Sequence, residues 1–93
     1  MTTNRQIFEA RVALARIANA ELPLPVLALA VPLLDACEAV IEKAAGMEGE
    51  DFARYMDGAR ELPECVLPMI PEIRMSYVEY KALDGLVKFE EVG

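Results

Sequence analysis

Between Leu22 and Leu34 the chain carries no polar side chain, and on either side of this stretch the apolar residues fall into helical stripes. Upstream, Ile7, Ala10, Leu14 and Ile17 recur at three- and four-residue spacing, with Phe8, Val12 and Ala15 on a neighbouring stripe. Arg5, Glu9 and Arg16 take the wetter side. Thr3-Asn4-Arg5-Gln6 has capping-box spacing, so a helix is predicted to open there and run to about Ala20. Glu21-Leu22-Pro23-Leu24-Pro25 is a tight connection, because residues before proline avoid the helical region.

Pro25 suits the first position of a second helix, which is predicted to reach about Ala45 and stop at Gly46 in a left-handed cap. Pro32 lies inside it and removes the donor to the Ala28 carbonyl, which predicts a kink or a split. Before Pro32 this helix is apolar all round. After it, Asp35, Glu38 and Glu42 line one face, while Leu33, Ala36, Val40 and Ala44 line another. Glu50 and Asp51 suit the positive end of a third helix, with Phe52, Tyr55, Met56 and Ala59 on its apolar face and Pro63 as its stop.

Leu62 to Pro71 holds three prolines among apolar residues and reads as an irregular, packed strap. Ser76-Tyr77-Val78-Glu79 is a second capping box, predicting a helix to about Leu83, a stop at Asp84-Gly85, and a short strand or tail over Leu86 to Val92. A continuous helix from Ser76 to Glu90 is the competing reading. The expected fold is therefore all-α. It has three to four helices, the second kinked at Pro32, a proline-rich strap and at most a short C-terminal strand. Residues 1–93 form a single helical domain, with 1–46 an apolar helical hairpin and 47–93 an acidic half.

An element that is apolar on every side has to be covered on every side. A chain of 93 residues has few elements of its own with which to do so, which predicts a helical homo-oligomer. Leu14, Ile17, Val26, Leu27, Leu29 and Val31 are the expected oligomer interface. The Leu22–Leu34 run is shorter than the 18–20 residues of a transmembrane helix and contains three prolines, so no membrane association is expected.

Hydrophobic residues make up 55% of the chain and aromatics only 6%, a mix that favours helix-on-helix packing over stacking platforms. The formal charge of -7 is uneven. Residues 1–47 hold four bases and five acids, a net of -1, leaving five bases and eleven acids, a net of -6, for residues 48–93. That balance opposes direct binding of nucleic acid, which needs basic charge to displace phosphate counterions. Cys37 and Cys65 form no C-x-x-C pair and read as reduced, buried residues, which places the chain in the cytoplasm.

The absence of histidine removes the commonest general base and metal ligand, and Ser76 is the only serine. Neither a catalytic residue nor a cofactor or metal is expected. Asp35, Glu38 and Glu42 make a carboxylate face of the sort that is ordinarily solvated. Pro68-Met69-Ile70-Pro71 matches P-x-x-P but has apolar, non-basic neighbours.

The leading expectation is a non-enzymatic, acidic, oligomeric protein that binds itself and modulates another protein as an accessory, adaptor or inhibitor. Glu50, Asp57, Glu61 and Glu64, in a row on the third helix, would be its partner-binding surface. Two alternatives remain. One is an oligomer that binds a small anionic ligand or sequesters a nucleotide through Arg11, Arg16 and Lys43. The other is an acidic nucleic-acid mimic that blocks a nucleic-acid-binding protein with the same carboxylate row. In size, acidity and lack of motifs the chain is similar in general character to small accessory proteins of phages and mobile elements, although no residue pattern carries that likeness.

Overall fold

The sequence stripes lead to five helices and four short strands in a computed structural model that describes residues 2–91. In chain order they are β1 (Thr2–Thr3), α1 (Asn4–Glu9), α2 (Arg11–Asn19), α3 (Leu24–Ala44), α4 (Gly49–Met56), β2 (Ala59–Arg60), β3 (Val66–Met69), α5 (Tyr77–Leu83) and β4 (Lys88–Glu91). The fold is thus mixed α/β, and the all-α expectation is corrected. Strands β1 and β2 pair antiparallel, and β3 and β4 pair parallel, with Val66 opposite Lys88 and Met69 opposite Glu91.

Both capping boxes form. Thr3 accepts from the Gln6 amide while the Gln6 side chain accepts from Thr3, and Ser76 and Glu79 make the same exchange. The first predicted helix is interrupted at Ala10 and becomes α1 and α2. Its main stripe is the inner one: Ile7, Ala10, Leu14 and Ile17 are all buried.

Helix α3 begins with Pro25 in its first turn and continues through Pro32 as one 21-residue element, so the proline does not split it. Its inner face, Ala30, Leu33, Cys37, Val40 and Ala44, repeats at alternating three- and four-residue steps and packs against α1, α2 and β3. Gly46 is not left-handed. Among the described residues the glycines with positive φ are Gly49 and Gly85, at 58° and 90°. Gly85 turns the chain out of α5 while Leu86 and Val87 donate back to the Leu83 carbonyl.

The third helix is shorter than the sequence suggests. It ends at Met56, ahead of Gly58 rather than at Pro63. The strap holds β3, which includes Pro68. The amide of Lys88 donates to the Cys65 carbonyl, so Cys65, Leu67 and Met69 present their backbone groups to β4. Pro68 then points its donorless nitrogen at the outer edge, where a ladder loses nothing by it. Residues 70–87, including α5, form the crossover that a parallel pair requires. Of the tail expected over Leu86 to Val92, Lys88–Glu91 is β4 and Val92 lies outside the described residues. The continuous helix to Glu90 does not form.

Met56, Cys65, Leu67, Leu83, Leu86 and Val87 from the acidic half join the residues of α1, α2 and α3 in one core. A polar clamp ties the start of α1 to the end of α4. Asn4, buried to 5% exposure, donates from Nδ2 to the Tyr55 carbonyl at 2.8 Å and accepts from Arg60 Nε at 2.8 Å. Its backbone amide donates to the Gly58 carbonyl at 3.0 Å. Gly58 leaves the room this needs, since a Cβ there would stand 3.1 Å from the Tyr55 carbonyl oxygen.

Candidate functional site

The six residues expected at an oligomer interface divide into three groups. Leu14 and Ile17, at 1% and 4% exposure, are spent inside the chain's own core and cannot also meet a partner. Val26 and Leu27 are half-buried. Leu29 and Val31 are exposed, at 51% and 41%. The correction concerns α2: its inner apolar stripe is used by α3 and α5, and of the six expected interface residues the exposed ones, Leu29 and Val31, both lie on α3.

On the outer side of α3, Leu24, Ala28 and Val31 stand four and three residues apart on one stripe, and Asp35 continues it four residues later. Leu24 is 79% exposed. The helix is long and apolar enough to cross a membrane, yet only 22% of its most apolar 18-residue stretch is buried. Its amino terminus is bare. Pro23 at the cap offers no side-chain hydrogen bond, and the first turn holds no acidic residue. Pro25 has no N–H, and the Val26 and Leu27 amides donate to the Pro23 carbonyl at 3.0 Å, so what meets solvent there is the Leu24 amide and the positive end of the helix dipole.

The carboxylates expected to face a partner are exposed but do not share a helix. Glu50 lies in the first turn of α4. Asp57, Glu61 and Glu64 all follow Met56, where α4 ends, and sit on the chain around and beyond β2. Asp57 is already paired with Arg5 at 2.9 Å.

The basic residues do not converge. The Arg11 guanidinium lies 4.0 Å from the centre of the Phe8 ring and donates to the Phe8 carbonyl. Arg16 pairs with Glu79 across α2 and α5. Lys43 sits in the last turn of α3, where a cation complements the helix dipole. The cleft beside Arg16 is shared with Arg74 and Glu79 and does not include Arg11 or Lys43.

Nothing in the titration chemistry marks an active site. Burial pushes the Cys37 thiol up; Arg11 pulls it down by a lesser amount, and Glu38 adds a small upward push. Burial alone raises Cys65. Both cysteines are free and buried, which makes them poor nucleophiles. Glu79 is held below the usual carboxyl range, first by the Ser76 backbone amide; desolvation opposes this, and the Ser76 hydroxyl and Arg16 lower it further. These are structural contacts of a cap and an ion pair. Among the described residues no cluster of three or more acids and cysteines is arranged to hold a metal ion.

An apolar cleft of about 290 Å³ lies between Met69, Ile73, Met75 and the stacked rings of Tyr80 and Phe89, with no charged side chain in its wall. It lacks the converging polar groups that orient a ligand. The outer face of α3 is the feature for which the chain itself supplies no use. Comparison of the chain with family models, with curated proteins and with solved structures returns no match.

Proposed function

We propose that this chain is a non-enzymatic interaction protein of a reducing, cytoplasmic compartment, and that its working surface is the outer face of α3, covered by protein in the cell. One observation carries the reading. The most apolar helix of the molecule packs along one face only and leaves Leu24, Leu29 and Val31 in water. Scattered apolar residues on a surface need no explanation, but a contiguous apolar helix face marks an interaction site.

A membrane is the weaker cover. Asp35 and Glu38 fall within the helix, and an acid at bilayer depth costs about 2.5–3.5 kcal/mol. The two free, buried thiols agree with the compartment. The exposed acids Glu50, Glu61 and Glu64 give the assembly its negative surface and keep it soluble.

Carbene footprinting tests the reading without assuming what the cover is. Val78 is 77% exposed and lies on α5, away from α3, so it serves as the internal standard for Leu24. In protein isolated gently from its cell, Leu24 and Val31 are expected to label several-fold less than their exposure in the single chain implies. Labelling of Leu24 as strong as that of Val78 would remove the proposal.

A further inference from the structure

Resting on that reading, we infer that the cover is a second copy of the chain, with the two α3 helices crossing antiparallel about a two-fold axis between Leu29 and Ala30. Three features of the molecule converge on this occupant.

The first is area. The chain exposes 6229 Å², whereas a folded monomer of 10.3 kDa exposes about 5,350 Å². The excess, roughly 900 Å² summed over the whole surface, is large enough to supply the ~800 Å² that each partner contributes to a stable interface of standard size, and Leu24, Leu29 and Val31 of α3 are part of it.

The second is self-complementarity. A two-fold axis between residues 29 and 30 sets Leu24 against the partner copy's residue 35, and Ala28 against its residue 31. All four positions lie on the one outward stripe. The small Ala28 then receives the larger Val31 side chain, and each contact occurs twice.

The third is charge. Leu24 and Asp35 are eleven residues apart, about 16 Å along the axis. Antiparallel packing therefore brings each Asp35 carboxylate to the bare amino terminus of the other α3, where no residue of the same chain caps it. Parallel packing would instead oppose Asp35 to Asp35 and Glu38 to Glu38. It would also leave both termini uncapped and align the two dipoles.

The test is crosslinking with a bismaleimide spanning about 10 Å, the separation of packed helix axes. Leu24→Cys and Asp35→Cys are made separately; both positions are exposed, so the fold is kept. Wild-type chain, whose own thiols are buried, serves as the blank. Mixing the two variants is expected to give a covalent dimer at least tenfold more abundant than either variant alone. Ala28→Cys mixed with Val31→Cys is expected to repeat the result.

Equal crosslinking of each variant with itself would overturn the antiparallel arrangement. Absence of any crosslink while Leu24 stays protected in the footprint would overturn the second copy as occupant, and would leave another polypeptide or a lipid surface as the cover. Absence of both crosslink and protection would overturn the inference together with the reading on which it rests.

Discussion

Replacing Asn4 by alanine removes the side chain that links the start of α1 to the end of α4. Two hydrogen bonds are lost, Nδ2 to the Tyr55 carbonyl and Arg60 Nε to Oδ1, both 2.8 Å long. A neutral bond contributes about 1 kcal/mol net, and one to a charged donor about 1.5–3 kcal/mol. Arg60 keeps its contact with the Tyr55 hydroxyl at 3.3 Å and is only half-buried, so its share falls at the lower end. The Tyr55 carbonyl keeps the Gly58 amide as a donor at 3.1 Å, so no orphaned acceptor adds to the cost. The expected loss is about 2–3 kcal/mol, a large part of the 5–15 kcal/mol that holds a domain together.

For a chain of this length that corresponds to a fall in Tm of about 8–20 °C. Asn4→Asp separates the two bonds. It keeps an acceptor for Arg60 but sets a carboxylate against the Tyr55 carbonyl. Urea denaturation followed by circular dichroism, at one fixed protein concentration, reads both variants. A loss below about 0.5 kcal/mol for Asn4→Ala, the range of an ordinary surface substitution, would refute the clamp.

Two further outcomes follow from the ionisable groups. Glu79 titrates below the ordinary carboxyl value in the folded chain, so its contribution is present above the unfolded pKa of about 4.3 and is lost as the pH falls through the folded value. Wild-type protein should therefore lose stability between pH 5 and pH 3 more steeply than Glu79→Gln, which is checked by denaturant midpoints across that range; parallel slopes would contradict the assignment. Cys37 and Cys65 are raised by burial, so a thiol reagent at pH 7.5 should modify them slowly in the folded chain and rapidly in denaturant. Fast modification of the folded chain would show that one of them is not packed as described.

What was legible in the sequence was mainly local. The Thr3–Gln6 and Ser76–Glu79 boxes were visible because a cap is written in four consecutive residues. The Ile7–Ile17 stripe was visible because burial on one helix face leaves a period. The strands were not. β3 is four residues long and contains Pro68, and nothing near it in the chain says that Lys88–Glu91 will lie alongside. A parallel pair is a contact between distant segments, and two-residue strands such as β1 and β2 have no period to detect.

The same limit misassigned Leu14 and Ile17. Their spacing announces burial but not whether the cover comes from the same chain or another. For the carboxylate row the failure was one of boundaries: Gly58 stops α4 early, and a helix two turns shorter no longer aligns Asp57, Glu61 and Glu64. The apolar run before Asp35 did signal the exposed surface of α3. Among the described residues no other element covers Leu24, Leu29 and Val31, so the surplus could be read from an apolar run that faces every side of its helix.

The most direct test of the account is the mass of the intact particle at micromolar concentration, by native mass spectrometry, for the wild type and for Val31→Asp. Val31 is 41% exposed in the single chain, so the substitution leaves the fold and its far-ultraviolet spectrum unchanged, but in an assembly it buries an unpaired charge. The account predicts a wild-type particle of twice 10.3 kDa and a variant of 10.3 kDa. A wild-type particle of 10.3 kDa, or a variant that keeps the full assembly mass, would contradict it.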